Sequence, residues 1–134
     1  MEERIFTYKE VCESAVRTGH NPSPRDARFG MLFSESTHFV LKAVPVSRLH
    51  YMGSWTPDQP LRCGETNAYQ DENGNPIDSD EYYARKYAKE YKTGLTAEPV
   101  ICTSRFDLAD GRHRTRSAYL RGEEIIQAFV EVSK

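Results

Sequence analysis

The chain has 134 residues, with 18 lysines and arginines against 20 aspartates and glutamates, so its formal net charge at pH 7 is -2. This length fits one domain with a single hydrophobic core. The charge balance excludes a general attraction to polyanions, so any affinity for nucleic acid has to come from a local group of basic residues.

The cysteines and the first residues indicate a compartment. Cys12, Cys63 and Cys102 are widely spaced and form no Cys-x-x-Cys pair, which favours reduced thiols over a disulfide framework or a zinc site. The start, MEERIFTYKE, carries charges where a signal peptide has an apolar run, and no stretch reaches the roughly 18 apolar residues of a membrane span. We expect a cytoplasmic protein with no membrane partner.

The N-terminal third predicts a helix, a loop and one or two strands. In FTYKEVCESAVRTG, apolar residues recur at helical spacing, Thr7 and Glu10 can form a capping box, and Gly19 can end the helix. The next segment, HNPSPRDARFG, predicts a loop because it holds two prolines and a glycine. MLFSESTHFVLKAVPVSRL has the β-branched and aromatic content of strands.

Residues 51–80 are rich in turn-forming residues. Pro57, Pro60 and Pro76 interrupt regular structure, and the pair Asn73 and Gly74 is typical of a type I′ turn. We expect either a small hairpin or an irregular surface excursion.

The C-terminal half predicts the order helix, strand, turn, helix, strand. DSDEYYARKYAKEYKTG has capping residues at its start, lysines near its end and Gly94 as a stop. PVICTSRF predicts a buried strand, DLADG a turn, GRHRTRSAYLRG a helix that ends at Gly122, and EIIQAFVEV a closing strand. Together these elements predict the α+β class, with a small mixed sheet flanked by helices and a helical extension at the N-terminus.

Residues 108–124, LADGRHRTRSAYLRGEE, concentrate basic residues at the predicted start of a helix. First-turn amides have no partner inside a helix, and together with the helix macrodipole they favour an anion. The dipole disfavours each cation there by a few tenths of a kcal/mol up to about 1 kcal/mol, yet Arg112, His113 and Arg114 all lie in this turn. A bound phosphate would offset that cost. The alternative is a solvated face, with Arg116 and Arg121 exposed and the charges in weak surface pairs.

The segment DGRHRTRSAYLRG, preceded by GLTAEPVIC and followed by a short strand, resembles the ParB/sulfiredoxin-like superfamily, which includes the ParB N-terminal domain-like nucleases. Its hallmark is a strand, a D-G-x-H-R turn and a helix, matched here by Asp110, Gly111, His113 and Arg114. Gly94, Pro99 and Val100 are matched to the pattern that introduces the preceding strand, and VPVSRL at 44–49 resembles the first family strand. The resemblance implies an extension of residues 1–43 that packs on a phosphate- or nucleotide-binding domain of residues 44–134.

Members of this superfamily hold nucleotide phosphates at that helix start, and they include CTP-hydrolysing partition proteins, sulfiredoxins, a free-serine kinase and proteins described as nucleases. For this chain the resemblance implies Mg²⁺ with ATP or CTP as cofactors. The residues implied to bind phosphate are Gly111, Arg112, His113, Arg114 and Thr115. Arg112 stands where sulfiredoxins carry their reactive cysteine, which disfavours that activity.

The candidate catalytic residues are Glu98, Asp110 and His113. A carboxylate, Asp110 or Glu98, would hold magnesium or orient a water, while Arg112 would stabilise charge that develops on the phosphoryl group. Each candidate also has a structural interpretation. Glu98 would be an exposed carboxylate before a strand, Asp110 an N-cap, and His113 a partner of a turn carbonyl.

Two functions remain open from the sequence. One is a magnesium-dependent nuclease or NTP hydrolase. The other is a non-catalytic DNA- or protein-binding accessory module of a phage or mobile element. In either function the chain could act as a homodimer or with a protein partner.

Overall fold

A computed structural model describes residues 4–17, 27–62, 64–90 and 98–132. In chain order its elements are β1 (Ile5–Thr7), α1 (Tyr8–Arg17), α2 (Ala27–Leu32), β2 (His38–Pro45), β3 (Tyr69–Gln70), β4 (Pro76–Ile77), α3 (Ser79–Glu90), β5 (Val100–Cys102), β6 (Leu108–Asp110), α4 (Arg112–Leu120) and β7 (Ile125–Glu131), with a 3₁₀ turn at Val46–Arg48. The predicted α+β class is confirmed.

Five of these strands form one mixed sheet in the order β1-β2-β7-β5-β6. β2 runs antiparallel to both β1 and β7, and its register with β7 places Val40 opposite Val130. β5 is parallel to β7 and antiparallel to β6. β2 is one continuous strand that crosses from residue 43 to residue 44. The expected division of the chain at that point therefore falls within a strand of the main sheet.

Each face of the sheet carries its own hydrophobic cluster, because successive side chains of a strand point to opposite sides. On one face Val40, Val44 and Ile126 pack with Ala118 of α4. On the other face Phe39, Ile101 and Phe129 pack with Val11 of α1. The sheet thus lies between α1 on one side and α4 on the other.

The N-terminal predictions are partly confirmed. Thr7 and Glu10 form the expected capping box, with the Thr7 amide 3.0 Å from Glu10 Oε1 and the Glu10 amide 3.2 Å from Thr7 Oγ1. The predicted loop is wrong at residues 27–30, and the predicted strand is wrong at Met31 and Leu32, because Ala27–Leu32 is helical. This segment follows the prolines rather than containing them. Gly19 lies outside the described residues, as does Gly94.

Of the two alternatives for residues 51–80, the structure has the small hairpin, as β3 paired with β4, but its turn is not type I′. A type I′ turn needs positive φ at both central residues. Here Gly74 has a φ of 81° while Asn73 is not among the residues with positive φ, and the Gly74 amide donates to the Asp71 carbonyl at 3.0 Å. The chain therefore turns one residue earlier than the Asn-Gly pair predicts.

The predicted turn at DLADG is also wrong for residues 108–110, which form β6. The chain reverses earlier, where the Phe106 amide donates to the Thr103 carbonyl at 2.9 Å and Phe106 has a φ of 66°. β6 consequently returns along β5 and delivers Asp110 directly to the start of α4. Among the described helices, none combines the length and apolar character needed to cross a membrane.

Candidate functional site

The candidate site begins at the junction between β6 and α4, where Gly111 is the N-cap residue. Gly111 has φ 107° and ψ 24°, and a Cβ built on it would lie 2.7 Å from the Cβ of Val100. Both facts require glycine, the first because L side chains rarely adopt this backbone conformation and the second because β5 packs directly against it. The fold itself therefore accounts for Gly111.

Because the N-cap residue is glycine, it has no side chain that could accept hydrogen bonds from the first-turn amides of α4. Asp110, interpreted from sequence as a possible N-cap, instead accepts a hydrogen bond from Arg114 Nη2 at 2.9 Å. Thr115 is fully buried and its hydroxyl donates to the Gly111 carbonyl at 2.8 Å. The first-turn amides of α4 therefore have no cap from the side chain of Gly111. Thr115, which was predicted to contact phosphate, bonds within its own helix instead.

Arg114 is held inside the fold by three hydrogen bonds. Its Nη1 donates to the carbonyls of Glu98 at 2.5 Å and Pro99 at 2.9 Å, and its Nη2 donates to Asp110. Burial lowers the pKa of Arg114 from its ordinary value, while the charge of Asp110 opposes that change. The guanidinium therefore joins the first turn of α4 to the residues that lead into β5.

The Glu98 carboxylate accepts a hydrogen bond from Ser14 Oγ at 2.9 Å. Ser14 lies in α1 and is buried, so this contact connects Glu98 to the helix on the opposite face of the sheet. Arg114 thus contacts the carboxylate of Asp110 but only the backbone carbonyl of Glu98. Both carboxylates, however, already have partners within the protein.

His113 contacts a residue that the sequence analysis did not identify. Its Nε2 lies 3.0 Å from Oδ1 of Asp80 in the first turn of α3, and the two side chains are 40% and 26% exposed. The structural interpretation of His113 as a partner of a turn carbonyl is therefore replaced by a carboxylate partner. The acidic first turn of α3 is visible in the sequence, but only tertiary packing places it beside α4.

Arg112 lies against an aromatic ring, with its guanidinium carbon 4.0 Å from the centroid of Tyr51. Tyr51 belongs to a tight turn in which its amide donates to the Trp55 carbonyl at 2.9 Å, and Met52 and Gly53 have φ values of 54° and 72°. A cation held over a tyrosine ring keeps its outward N–H groups free to donate. Arg112 and His113 are thus the two basic side chains of the first turn that are partly exposed and not bound by the core of the fold.

Arg116 is buried, and the interpretation of this residue as a solvated surface charge is wrong. It is 6% exposed, and its Nη2 and Nε donate to the two oxygens of Glu81 at 2.9 and 3.0 Å while Nη1 donates to the Pro57 carbonyl at 2.9 Å. Burial acts to raise the pKa of Glu81, but hydrogen bonds from Arg116, the Leu61 amide and Arg85 outweigh it and lower the pKa below 4.5. This network fixes α4 against α3.

Two further observations concern thiol and metal chemistry near the site. Burial raises the pKa of the Cys102 thiol to about 12, so this fully buried cysteine of β5 is a core residue rather than a nucleophile. Within the described parts of the chain, histidine, cysteine, aspartate and glutamate side chains form no group of three or more that could hold a metal ion.

The fold therefore belongs to the mixed α+β class, with an amide-rich helix start flanked by Arg112 and His113. Comparison with protein-family models, with curated proteins and with solved structures finds no match to this chain. The resemblance to the ParB/sulfiredoxin-like superfamily stays a prediction that the motif at residues 110–114 makes.

Proposed function

We propose that this chain is a ParB/sulfiredoxin-like module that binds the phosphate of a nucleotide or nucleic acid at the start of α4. The observation that carries the proposal is the division of the basic residues in the first turn. Arg114 is bound by Asp110 and two carbonyls. Arg112, which lies on Tyr51, and His113, which lies beside Asp80, are instead partly exposed next to the first-turn amides, which Gly111 does not cap. Cations interact unfavourably with the positive end of the helix dipole, and an anionic ligand bound there would offset that cost.

The local chain order supports the assignment. β5 and β6 lead through Gly111 into α4, and β7 follows, so a strand precedes and a strand follows the helix as the motif implies, although β6 and Gly111 replace its turn. In this proposal the amides of the first turn and the Arg112 guanidinium donate to phosphate oxygens, and His113 supplies a further donor. Such charge-assisted hydrogen bonds are roughly twice as strong as neutral ones.

Within this proposal, binding without chemistry is favoured over hydrolysis. The two candidate catalytic carboxylates are Asp110 and Glu98, and they are already bound by Arg114 and Ser14. To hold magnesium or orient a water, either carboxylate would have to exchange an internal partner for a ligand. We therefore propose the accessory binding module first, and treat magnesium-dependent hydrolysis of ATP, CTP or DNA as a separate outcome.

A thermal-shift screen tests the proposal. ATP, CTP, ADP and short DNA are each added with and without magnesium, because a ligand that binds the native state stabilises it by about 2.7 kcal/mol at 100 times its dissociation constant. We expect at least one of them to raise the Tm of the wild-type protein. Arg112→Ala should lose most of that increase.

Arg4→Ala is the matched control, because Arg4 precedes β1 at the opposite edge of the sheet and makes an exposed ion pair with Glu10. It should keep the full response. Failure of every ligand to change the Tm, or an equal response in Arg112→Ala and the control, would contradict the proposal. Release of inorganic phosphate or cleavage of DNA in the same samples would show chemistry in addition to binding.

A further inference from the structure

We infer that one surface of the protein binds a single strand of nucleic acid. This arginine–aromatic surface consists of Arg48, Tyr51, Arg105, Phe106 and Arg112. Bases of the strand stack on its aromatic and guanidinium planes, and phosphates of the strand pair with its arginines. The surface is built mainly from the segments before β3 and between β5 and β6. The inference goes beyond the proposed phosphate site, because it does not use the first-turn amides of α4.

Two arginines of this surface are held over aromatic rings. The guanidinium carbon of Arg112 lies 4.0 Å from the centroid of Tyr51, and that of Arg48 lies 5.8 Å from the centroid of Phe106. Both rings are partly buried and pack on the hydrophobic cluster that contains Ala118. A guanidinium placed in this way keeps its outer face and its N–H donors available, so it can stack on a base or donate to a phosphate.

The arginines of this surface are not neutralised by the protein. Within the described part of the chain, none of Arg48, Arg105 and Arg112 forms an ion pair with a carboxylate. Asp107, the next residue after Phe106, accepts the Met52 amide at 2.9 Å instead. Uncompensated positive charge in a chain with a net charge of -2 is complementary to a polyanion. The arginines that do pair with carboxylates include Arg4, Arg85, Arg114, Arg116 and Arg121.

The two segments that carry the surface are bonded to each other. The His50 amide donates to the Phe106 carbonyl at 3.1 Å, and the Leu108 amide donates to the His50 carbonyl at 2.7 Å. The His50 ring adds a third hydrogen bond, from Nε2 to the Arg105 carbonyl at 3.0 Å. A surface that is ordered before binding loses little conformational entropy when its ligand binds.

Each segment also contains a bulky residue in an unusual backbone conformation. Met52 has a φ of 54° and Phe106 has a φ of 66°, and large side chains rarely adopt this left-handed region. Strain of this kind is concentrated at binding and active sites. Met52 is 64% exposed, so the backbone holds a costly conformation that presents an apolar side chain to solvent next to Tyr51.

A single strand fits the arginine–aromatic surface better than a duplex or a simple polyanion does. Stacking on aromatic or guanidinium planes requires bases that are not already paired and stacked, and single strands supply them. A simple polyanion uses the arginines but not the rings of Tyr51 and Phe106. Single-stranded DNA and RNA share the chemistry that this surface recognises, so the test includes both.

Fluorescence anisotropy with labelled oligothymidine and oligouridine tests the inference, with strands of about twelve nucleotides to match the usual site size of a small domain. We expect at least one of the two to bind saturably, and more tightly than a duplex of the same length or inorganic polyphosphate does. Each phosphate neutralised on a single strand contributes about -0.7 to the slope of log K against log salt. The arginines of this surface therefore predict a slope of about -2.

Variants separate charge from stacking. Arg48→Ala and Arg105→Ala should each bind the oligonucleotide several-fold more weakly, with a salt slope that is smaller in magnitude by about 0.7. Arg4→Ala, at the opposite edge of the sheet, is the matched control and should bind as the wild-type protein does. Tyr51→Leu should weaken binding about tenfold. Tyr51→Phe keeps the ring and should restore the affinity, which distinguishes lost stacking from lost folding.

Three results would overturn the inference. They are the absence of saturable binding by either oligonucleotide, an equal affinity for polyphosphate, and Arg48→Ala and Arg105→Ala proteins that bind as the control does. Backbone amide shifts keep this inference separate from the proposed function. Shifts at Arg105 and Phe106 without shifts at Gly111 and His113 support the arginine–aromatic surface and contradict the proposed phosphate site. Shifts at Gly111 and His113 alone do the reverse.

Discussion

The Glu81 carboxylate and the Arg116 guanidinium form a buried ion pair between α3 and α4, with Oε2 and Nη2 2.9 Å apart. Glu81 follows Asp80 in the chain, and Arg116 lies one helical turn after His113. The buried pair therefore holds α3 and α4 in the arrangement that brings Asp80 and His113 together. It also explains part of the charge in the motif, because Arg116 is needed inside the protein.

Breaking this pair should be costly. In Arg116→Met the Glu81 carboxylate remains buried without its main partner, and removing one member of a buried pair costs about 3–5 kcal/mol. Arg85 donates to the same carboxylate, but its side chain is 42% exposed, so Arg85→Ala should cost less than about 1 kcal/mol. Urea unfolding of the two variants checks this, and equal losses would contradict the buried role of Arg116.

The same carboxylate predicts how stability depends on pH. The pKa of Glu81 is lower in the folded protein than its ordinary value of 4.5, so the folded state favours the ionised form. Its contribution is complete above the unfolded pKa and is lost as the pH falls through the lower folded pKa. The free energy of unfolding of the wild-type protein should therefore approach that of Glu81→Gln as the pH is lowered from 7 to about 3. A difference that stays constant over this range would be inconsistent with the lowered pKa.

Gly111→Ala should destabilise the protein more than Gly122→Ala does. Both glycines have positive φ, but a Cβ at Gly122 has no heavy atom within 4 Å, whereas one at Gly111 would collide with Val100. Overpacking of this kind costs about 1–3 kcal/mol in addition to the backbone strain that both variants share. Val100→Ala should also cost less in the Gly111→Ala background than in the wild-type protein. Identical losses for the two glycine variants in chemical denaturation would be evidence against this packing.

Arg114→Ala should act mainly on stability. The substitution leaves the Asp110 carboxylate and the carbonyls of Glu98 and Pro99 without the guanidinium, for a loss of about 2–4 kcal/mol. Arg114→Lys should not restore it, because a lysine cannot reproduce the planar fork of donors. Arg112→Ala, which gives up a contact with Tyr51 worth about 0.5–1 kcal/mol, serves as the comparison. The order of the two Tm values checks this prediction, and a larger loss in Arg112→Ala would reverse it.

The features that the sequence predicts correctly are local ones. The capping box of Thr7 and Glu10 spans three residues, and the helix after Gly111 follows from its composition and from the glycines at its two ends. β6 was missed because a three-residue strand shows too little alternation to be distinguished from a turn.

The features that were missed depend on contacts between distant residues. His113 meets Asp80 and Arg116 meets Glu81 across more than thirty positions, and no periodicity in either segment reveals the pairing. Arg112 and Arg116 lie four residues apart on one face of α4, where they contact Tyr51 and the Pro57 carbonyl. The sequence identifies the charged cluster, whereas tertiary packing determines which of its members are buried.

An NMR titration that follows the backbone amides of the uniformly ¹⁵N-labelled protein tests phosphate binding at α4 most directly. CTP, ATP or a short DNA that raises the Tm is added to the wild-type protein and to Arg112→Ala. The proposed site predicts saturable shifts that are largest at Gly111, Arg112 and His113 and that are strongly reduced in the variant. Saturable shifts that centre on another part of the fold, or that are equal in the two proteins, would contradict it.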